Sequence, residues 1–186
     1  MDNEDDYQGP QSRPPEIEDL VNLCRRLNEA GARYIVVGGM AIIQNGFLRA
    51  TQDVDLLVDS SEDNFQRIRK GMLGLPDQAI REVEPGDIAK YVVVRVGDEI
   101  LVDLMAKTCG IDYEEAKSHV VVVELDGVRI PVANMELLWR MKQTGRDKDI
   151  PDLLYLRERL NKNHLPPRSA RHTWNPIRVL LKLLGK

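Results

Sequence analysis

Short runs of apolar residues at two different spacings divide the first half of the chain into strands and helices. The run Tyr34-Ile-Val-Val37 is β-branched and aromatic and too short for a helix, so it predicts a strand. A second strand is predicted over 53–58, because the apolar residues there alternate with two carboxylates. Apolar residues at helical spacing predict helices over 14–31, 40–44 and 60–72.

In the second half of the chain the apolar period first shortens to two and then returns to helical spacing. Four strands are predicted, with hairpin turns at Gly97-Asp98 and Asp126-Gly127: Tyr91 to Val96, Ile100 to Met105, Val120 to Leu125 and Val128 to Val132. Two helices follow, one capped by Asn134 and ending at Gly145, the other starting near Asp147. The sequence therefore predicts an α+β (α/β-like) fold, with a mixed β-sheet flanked by helices.

The two ends of the chain differ from this central domain, which we assign to residues 15–161. Residues 1–14 are acidic and contain little to bury, which predicts a disordered tail. Residues 162–186 are predicted to form a basic linker and a short amphipathic helix with an apolar face. That face is expected to dock on the domain, to self-associate or pair with a protein partner, or to meet an acidic surface; contact of its basic residues with RNA is a weaker alternative.

Composition narrows the class of protein without identifying it. With 186 residues the chain is long enough for one domain with a substantial core. Its formal net charge of −4 gives no general attraction to nucleic acid. The acidic start is unlike a signal peptide, and no apolar run reaches membrane-spanning length, so we expect a cytoplasmic protein. Cys24 and Cys109 lack CxxC spacing and are expected to be reduced, packed thiols.

The candidate chemistry begins with Asp53 and Asp55, two positions apart on the second predicted strand. Both carboxylates then project from the same face of that strand. Two like charges side by side are costly to remove from water unless a cation lies between them, and Mg²⁺, or Mn²⁺, prefers such oxygen ligands. The alternative is a solvated strand end without a metal.

A pair of glycines, Gly38 and Gly39, follows the first predicted strand. Without a Cβ the backbone can turn sharply there and approach a ligand closely. A helix that starts behind such a pair directs free N–H groups towards it, which favours phosphate oxygens. The pair therefore predicts a phosphate site, the alternative being a simple turn.

Asp103 is the polar residue in the otherwise apolar run Ile100-Leu-Val-Asp-Leu-Met105. A buried carboxylate needs a partner. If its strand lies beside the strand of Asp53 and Asp55, Asp103 becomes the third carboxylate of one site. The alternative is an ordinary acidic residue at a strand end.

The order of these residues, Gly38-Gly39, then Arg49-Ala-Thr51-Gln-Asp53-Val-Asp55, resembles the signature of the nucleotidyltransferase superfamily that includes DNA polymerase beta. Within it, the chain is most similar to small bacterial proteins of the AbiEii toxin and antibiotic nucleotidyltransferase type. The resemblance implies that Asp53, Asp55 and Asp103 are catalytic and bind metal. It implies that Gly38 and Gly39 contact the nucleotide, and that Arg49 and Thr51 either bind and position it or brace the strand.

A later segment, Arg140-Met-Lys-Gln-Thr-Gly-Arg-Asp-Lys-Asp149, resembles the same family, in which a basic helix end precedes an Asp-bearing helix facing the cleft. The resemblance makes Lys142, Arg146 and Lys148 candidates to meet a triphosphate. A solvated helix face is the alternative for each of the three.

The resulting hypothesis is a Mg²⁺-dependent nucleotidyltransferase that transfers a nucleoside monophosphate from an NTP to a hydroxyl of RNA, such as tRNA, of a protein or of a small molecule. The first alternative is an inactive nucleotide-binding or partner-binding module of the same fold. A metal-dependent glycosyltransferase is disfavoured by the short chain and the glycine pair.

Overall fold

A six-stranded mixed sheet forms the centre of residues 12–163, the part of the chain that the computed structural model describes. The described region has eight strands, six of which belong to this sheet: β1 (Tyr34–Val36), β2 (Asp53–Val58), β3 (Val94–Gly97), β4 (Leu101–Met105), β5 (Lys107–Thr108), β6 (Ile111–Asp112), β7 (Val120–Leu125) and β8 (Val128–Ala133). The helices are α1 (Ile17–Glu29), α2 (Gly38–Gln44), α3 (Glu62–Met72), α4 (Asp87–Lys90), α5 (Tyr113–Ala116), α6 (Met135–Met141) and α7 (Ile150–Asn163).

The strand order in the large sheet is β3-β4-β2-β1-β8-β7. Two parallel pairs, β2 with β4 and β1 with β8, are combined with three antiparallel pairs. Helices flank the sheet: α1 packs on α3 and β8, while α2 contacts β2 and α6. This mixed sheet with flanking helices is the predicted α+β fold class, and β5 and β6 form a separate small hairpin.

The helices begin where the sequence supplies suitable caps. The Ser61 side chain accepts a hydrogen bond from the backbone N–H of Asn64 at the start of α3, and Asn134 accepts one from the N–H of Leu137 at the start of α6. The Asn134 cap was predicted. The predicted helix after Gly145 begins with a 3₁₀ turn at Asp147–Asp149 and continues as α7.

The predicted strand over 91–96 is wrong in its first half. The ladder with β4 pairs Val94 with Leu104 and ends there, because the chain beyond Met105 turns into the small hairpin. Residues 91–93 therefore have no partner strand, and Val92 remains 84% exposed. A β-branched sequence favours an extended chain, but the strand forms only where a neighbour completes its hydrogen bonds.

The described region begins at residue 12 and ends at residue 163, so it includes only a small part of each predicted terminal segment. Ser12 and Arg13 contact the connection between β3 and β4, through hydrogen bonds to the backbone oxygens of Asp98 and Glu99. The predicted C-terminal amphipathic helix lies outside the described residues, as does most of the predicted acidic tail. Within residues 12–163, no helix is both long and apolar enough to cross a membrane.

Candidate active site

Three carboxylates from two neighbouring strands meet at one side of the sheet. The parallel pairing of β2 and β4 places Asp55 directly opposite Asp103, and Asp53 lies two residues before Asp55 on the same face. One carboxylate oxygen from each of the three lies within 4.8 Å of the others. The predicted adjacency of Asp103 to this strand is therefore present in the structure.

The electrostatic cost of this arrangement falls mainly on Asp55. Burial raises the pKa of its carboxyl group from 3.8 to about 6, and repulsion from Asp53 and Asp103 adds to the rise. The backbone N–H of Gly39 donates a hydrogen bond to Asp55 Oδ2 at 3.4 Å and, with the charge of Lys142, opposes that shift. Asp55 thus carries a charge that the surrounding residues compensate only in part.

Arg95 on β3 forms ion pairs with the other two carboxylates, and no motif in the sequence singled it out. Its Nε and Nη2 donate to the two oxygens of Asp103 at 2.8 and 2.7 Å, and Nη2 also reaches Asp53 Oδ2 at 3.2 Å. These hydrogen bonds, with Asp103 contributing most, raise the pKa of the guanidinium further above its usual range. A correct prediction of the register of the β3–β4 hairpin would have identified Arg95, because this register places it opposite Asp103.

The observed register of the β3–β4 hairpin differs from the register that the predicted turn implies. Gly97 pairs with Leu101 inside the ladder, so the loop comprises residues 98–100 and Arg95 lies opposite Asp103. A turn centred on Gly97 and Asp98, as predicted, would have placed another residue there. Because side chains alternate between the two faces of a strand, the register decides which residue faces the carboxylates.

The glycine pair lies against the carboxylates and forms the first turn of α2, two residues before the predicted start of that helix. Gly38 has φ +59°, and a Cβ at this position would lie 1.8 Å from Asp55 Oδ2. A Cβ on Gly39 would lie 2.3 Å from Thr51 Oγ1, and that hydroxyl donates to the backbone oxygen of Asp53 at 3.3 Å. Glycine is therefore required at both positions for the backbone to approach β2 this closely.

Lys142, directly after α6, is a buried cation that two acidic residues near the start of α7 hold in place. Lys142 Nζ lies 2.9 Å from Asp149 Oδ1 and 3.0 Å from Asp152 Oδ2, and both carboxylates are 1% exposed. Burial alone would raise the pKa of Asp149, but hydrogen bonds from Lys142, Thr144 and Arg146 bring it down to about 2. Lys142 is thus fixed in position with its charge largely matched.

The other predicted cations take part in this network to different extents. Arg146 Nε donates to Asp149 Oδ2 at 2.9 Å, and Arg49 Nη1 donates to Asp152 Oδ2 at 2.5 Å. Lys148 is exposed. Arg49 thereby connects the segment before β2 to α7, while Lys148 has a side chain that is accessible to a ligand.

With the exception of Asp152, the groups described above line one cavity of about 610 Å³. Its walls include Arg95 and the apolar side chains of Val92, Met105 and Met141. The ten residues that the sequence analysis selected also border it: Gly38, Gly39, Arg49, Thr51, Asp53, Asp55, Asp103, Lys142, Arg146 and Lys148. The structure therefore gathers the candidates from four separate sequence segments around one open space.

The prediction for the two cysteines is correct for Cys24 and wrong for Cys109. Cys24 is fully buried, and burial raises the pKa of its thiol to about 12. Cys109 lies in the turn between β5 and β6 with φ +48°, is exposed, and borders the cavity. Its thiol donates to the backbone oxygen of Met141 at 3.1 Å, which places a free thiol beside the candidate site.

Comparison with known proteins adds a structural neighbour and no sequence relative. No protein-family model matches the chain, and no curated protein matches it. Among solved structures, it is similar to a protein from Thermotoga maritima described as a candidate nucleotidyltransferase. The two share 18% sequence identity with a TM-score of 0.51, over 84% of this chain and 99% of that one. At this identity the similarity shows a common fold.

Proposed function

We propose that the protein is a divalent-metal-dependent nucleotidyltransferase. The observation that carries the proposal is the meeting of Asp53, Asp55 and Asp103 on adjacent parallel strands, facing a cavity that is also lined by Arg49, Lys142, Arg146 and Lys148. Carboxylates on one side and Lys or Arg on the other suit a metal-bound triphosphate, whose charges both walls would neutralise. The nucleotidyltransferase-like fold supports this interpretation.

The carboxylate set fits Mg²⁺ or Mn²⁺. It offers three hard oxygen donors within 4.8 Å of one another, and the raised pKa of Asp55 shows that its charge is poorly compensated. When bound, such a cation lowers the barrier to attack on a phosphorus atom by withdrawing negative charge from the phosphate oxygens. Asp53 and Asp55 would hold it, and Asp103 would complete the ligand set or accept a proton.

In the proposed reaction, a hydroxyl oxygen of the acceptor attacks the α-phosphorus of the NTP. The bond from that phosphorus to the oxygen bridging the β-phosphate breaks, and pyrophosphate leaves with the electron pair. The hydroxyl proton passes to a carboxylate, for which Asp103, 5% exposed at the base of the cavity, is the candidate.

The remaining candidates would position the nucleotide. Gly38 and Gly39 let the phosphates approach the backbone closely, and Thr51 braces the β2 carboxylates. Arg146 and the exposed Lys148 would neutralise the leaving pyrophosphate, while Lys142, paired with Asp149 and Asp152, would fix the position of this segment and Arg49 would connect it to the α2–β2 segment. The resemblance to AbiEii-type and antibiotic nucleotidyltransferases extends the proposal to an acceptor that is tRNA, another RNA, a protein or a small molecule.

A second candidate function is a nucleotide-binding or partner-binding module without turnover. The observation that favours it is Arg95, whose guanidinium already forms ion pairs with Asp53 and Asp103. If Arg95 stayed there permanently, no divalent cation would gain access to two of the three carboxylates.

The deciding experiment measures pyrophosphate release from each NTP with Mg²⁺, in the presence of cell extract as a source of acceptors. We expect release by the wild type and loss of at least a hundredfold in Asp53→Ala, while Asp77→Ala, an exposed aspartate away from the cavity, behaves as the wild type. Radiolabelled NTP in the same mixture then identifies the acceptor. NTP binding without any release would establish the binding module instead.

A further inference from the structure

We propose that Arg95 is a built-in counter-ion that occupies Asp53 and Asp103 until a divalent cation displaces it, so that the arginine and the metal compete for the same carboxylate oxygens. This inference rests on the proposed function for the identity of the metal site. It assigns Arg95 a positioning role: the guanidinium holds the acidic centre together before the cation arrives.

The contacts are those expected of a substitute cation. Arg95 lies opposite Asp103 in the β3–β4 ladder and donates two parallel hydrogen bonds to its two oxygens, at 2.8 and 2.7 Å. The third bond, from Nη2 to Asp53 at 3.2 Å, spans the space between the two strands that carry the acidic residues. A planar guanidinium matches carboxylate geometry in this way, and it occupies the oxygens that a metal would need.

The compensation that Arg95 provides is incomplete. Its hydrogen bonds reach Asp53 and Asp103 and do not include Asp55, whose side chain accepts a hydrogen bond of 3.4 Å from the backbone N–H of Gly39. Arg95 supplies one positive charge to the three carboxylates, whereas a divalent cation in contact with all three would supply two. The acidic centre is therefore better matched by a metal than by Arg95, which is the condition for displacement.

The position of Arg95 also allows its side chain to move away from the two carboxylates. Its side chain is 55% exposed on the edge strand β3, whereas that of Asp103 is 7% exposed. Within residues 12–163, all hydrogen bonds of its guanidinium go to the two carboxylates. Arg95 also borders a second groove, of about 290 Å³, whose walls include the acidic residues Glu82 and Asp87. When a metal displaces the guanidinium, the side chain of Arg95 can move into that acidic groove.

The competition predicts opposite effects of one substitution on metal binding and on stability. Arg95→Gln and Arg95→Ala free the oxygens and remove a repelling charge, so the affinity for Mn²⁺ is expected to rise about tenfold. The same variants leave Asp53 and Asp103 without the counter-ion that they share, so the Tm in EDTA is expected to fall by about 3 °C. Saturating Mn²⁺ should then raise the Tm of the variants more than that of the wild type.

The experiment titrates the full chain with Mn²⁺, follows free Mn²⁺ by electron paramagnetic resonance, and records thermal unfolding with and without EDTA. Arg95→Lys keeps one positive charge without the paired hydrogen bonds and should give an intermediate affinity. Arg129→Ala is the matched control, because Arg129 is an exposed arginine of β8, near the opposite edge of the sheet. It should bind Mn²⁺ as the wild type does.

Equal or weaker Mn²⁺ binding by Arg95→Gln and Arg95→Ala, or no binding by any of the proteins, would overturn the competition. Neither readout requires turnover, so this outcome is distinct from failure of the nucleotidyltransferase proposal, which pyrophosphate release decides. Tighter Mn²⁺ binding by the variants together with no release from any NTP would support the counter-ion and reject the enzyme.

Discussion

Replacing Asp55 with asparagine is predicted to stabilise the metal-free protein while abolishing nucleotidyl transfer. In the folded protein Asp55 is half-buried beside two other carboxylates, and this loss of water, with the repulsion from Asp53 and Asp103, raises its pKa from 3.8 to about 6. Between these two pH values the folded state binds a proton that the unfolded state has released. The free energy of unfolding therefore falls as the pH rises through this window, and the loss is complete above it.

The magnitude follows from the size of the shift. A displacement of about two pKa units corresponds to about 3 kcal/mol of destabilisation at pH 7.5 and about 1 kcal/mol at pH 4.5. Asparagine has the shape of aspartate, keeps an oxygen that can accept the hydrogen bond from Gly39, and carries no charge. Asp55→Asn should therefore gain about 3 kcal/mol over the wild type at pH 7.5 and about 1 kcal/mol at pH 4.5.

Urea unfolding in EDTA at the two pH values measures this difference directly. Asp77→Asn, at an exposed position outside the cavity, is the control and should lie within about 0.5 kcal/mol of the wild type at both. A gain that does not change with pH, or a loss of stability at pH 7.5, would refute the electrostatic reasoning. The same variant should release no pyrophosphate, since one ligand of the proposed metal is removed.

Three further predictions concern the walls of the cavity. Gly38→Ala, whose Cβ would lie 1.8 Å from a carboxylate oxygen, should lower the free energy of unfolding by more than about 2 kcal/mol, whereas Gly127→Ala, with a positive φ and open space, should lower it by about 1 kcal/mol. Lys142→Met removes the cation that the buried carboxylates of Asp149 and Asp152 share, leaves each with one arginine, and should cost about 3 kcal/mol of stability. Exposed Lys148→Met should leave unfolding unchanged and raise only the KM for NTP. Finally, iodoacetamide should alkylate Cys109 alone, and NTP with Mg²⁺ should slow the reaction, as mass spectrometry after a timed quench would show.

The sequence predicted those features that depend on local pattern or on a single strand. The alternation of Asp53 and Asp55 with apolar residues placed both on one face, and a lone Asp103 in an apolar run indicated a strand that needed a charged neighbour. The fold class followed from the order of the elements. In each case the local pattern and the tertiary structure impose the same requirement.

The features that were missed depend on pairing between strands. Arg95 lies in an alternating segment where an exposed arginine looks like part of a solvated face, and its role follows from the loop over 98–100, which sets the register with Asp103. The start of β3 was predicted too early because partner strand β4 ends, which no local propensity reveals. Cys109 was expected to be packed, but a tight turn with φ +48° exposes it.

The parallel pairing of β2 with β4 has a consequence for how the acidic centre assembles during refolding. A parallel neighbour is reached only after a long crossover, and here α3, α4 and β3 lie between the two strands in the sequence. Pairings between distant segments are slow to form compared with helices. During renaturation the capacity to capture a cation is therefore expected to return late, after the helical signal has recovered, and no short excised peptide would possess it.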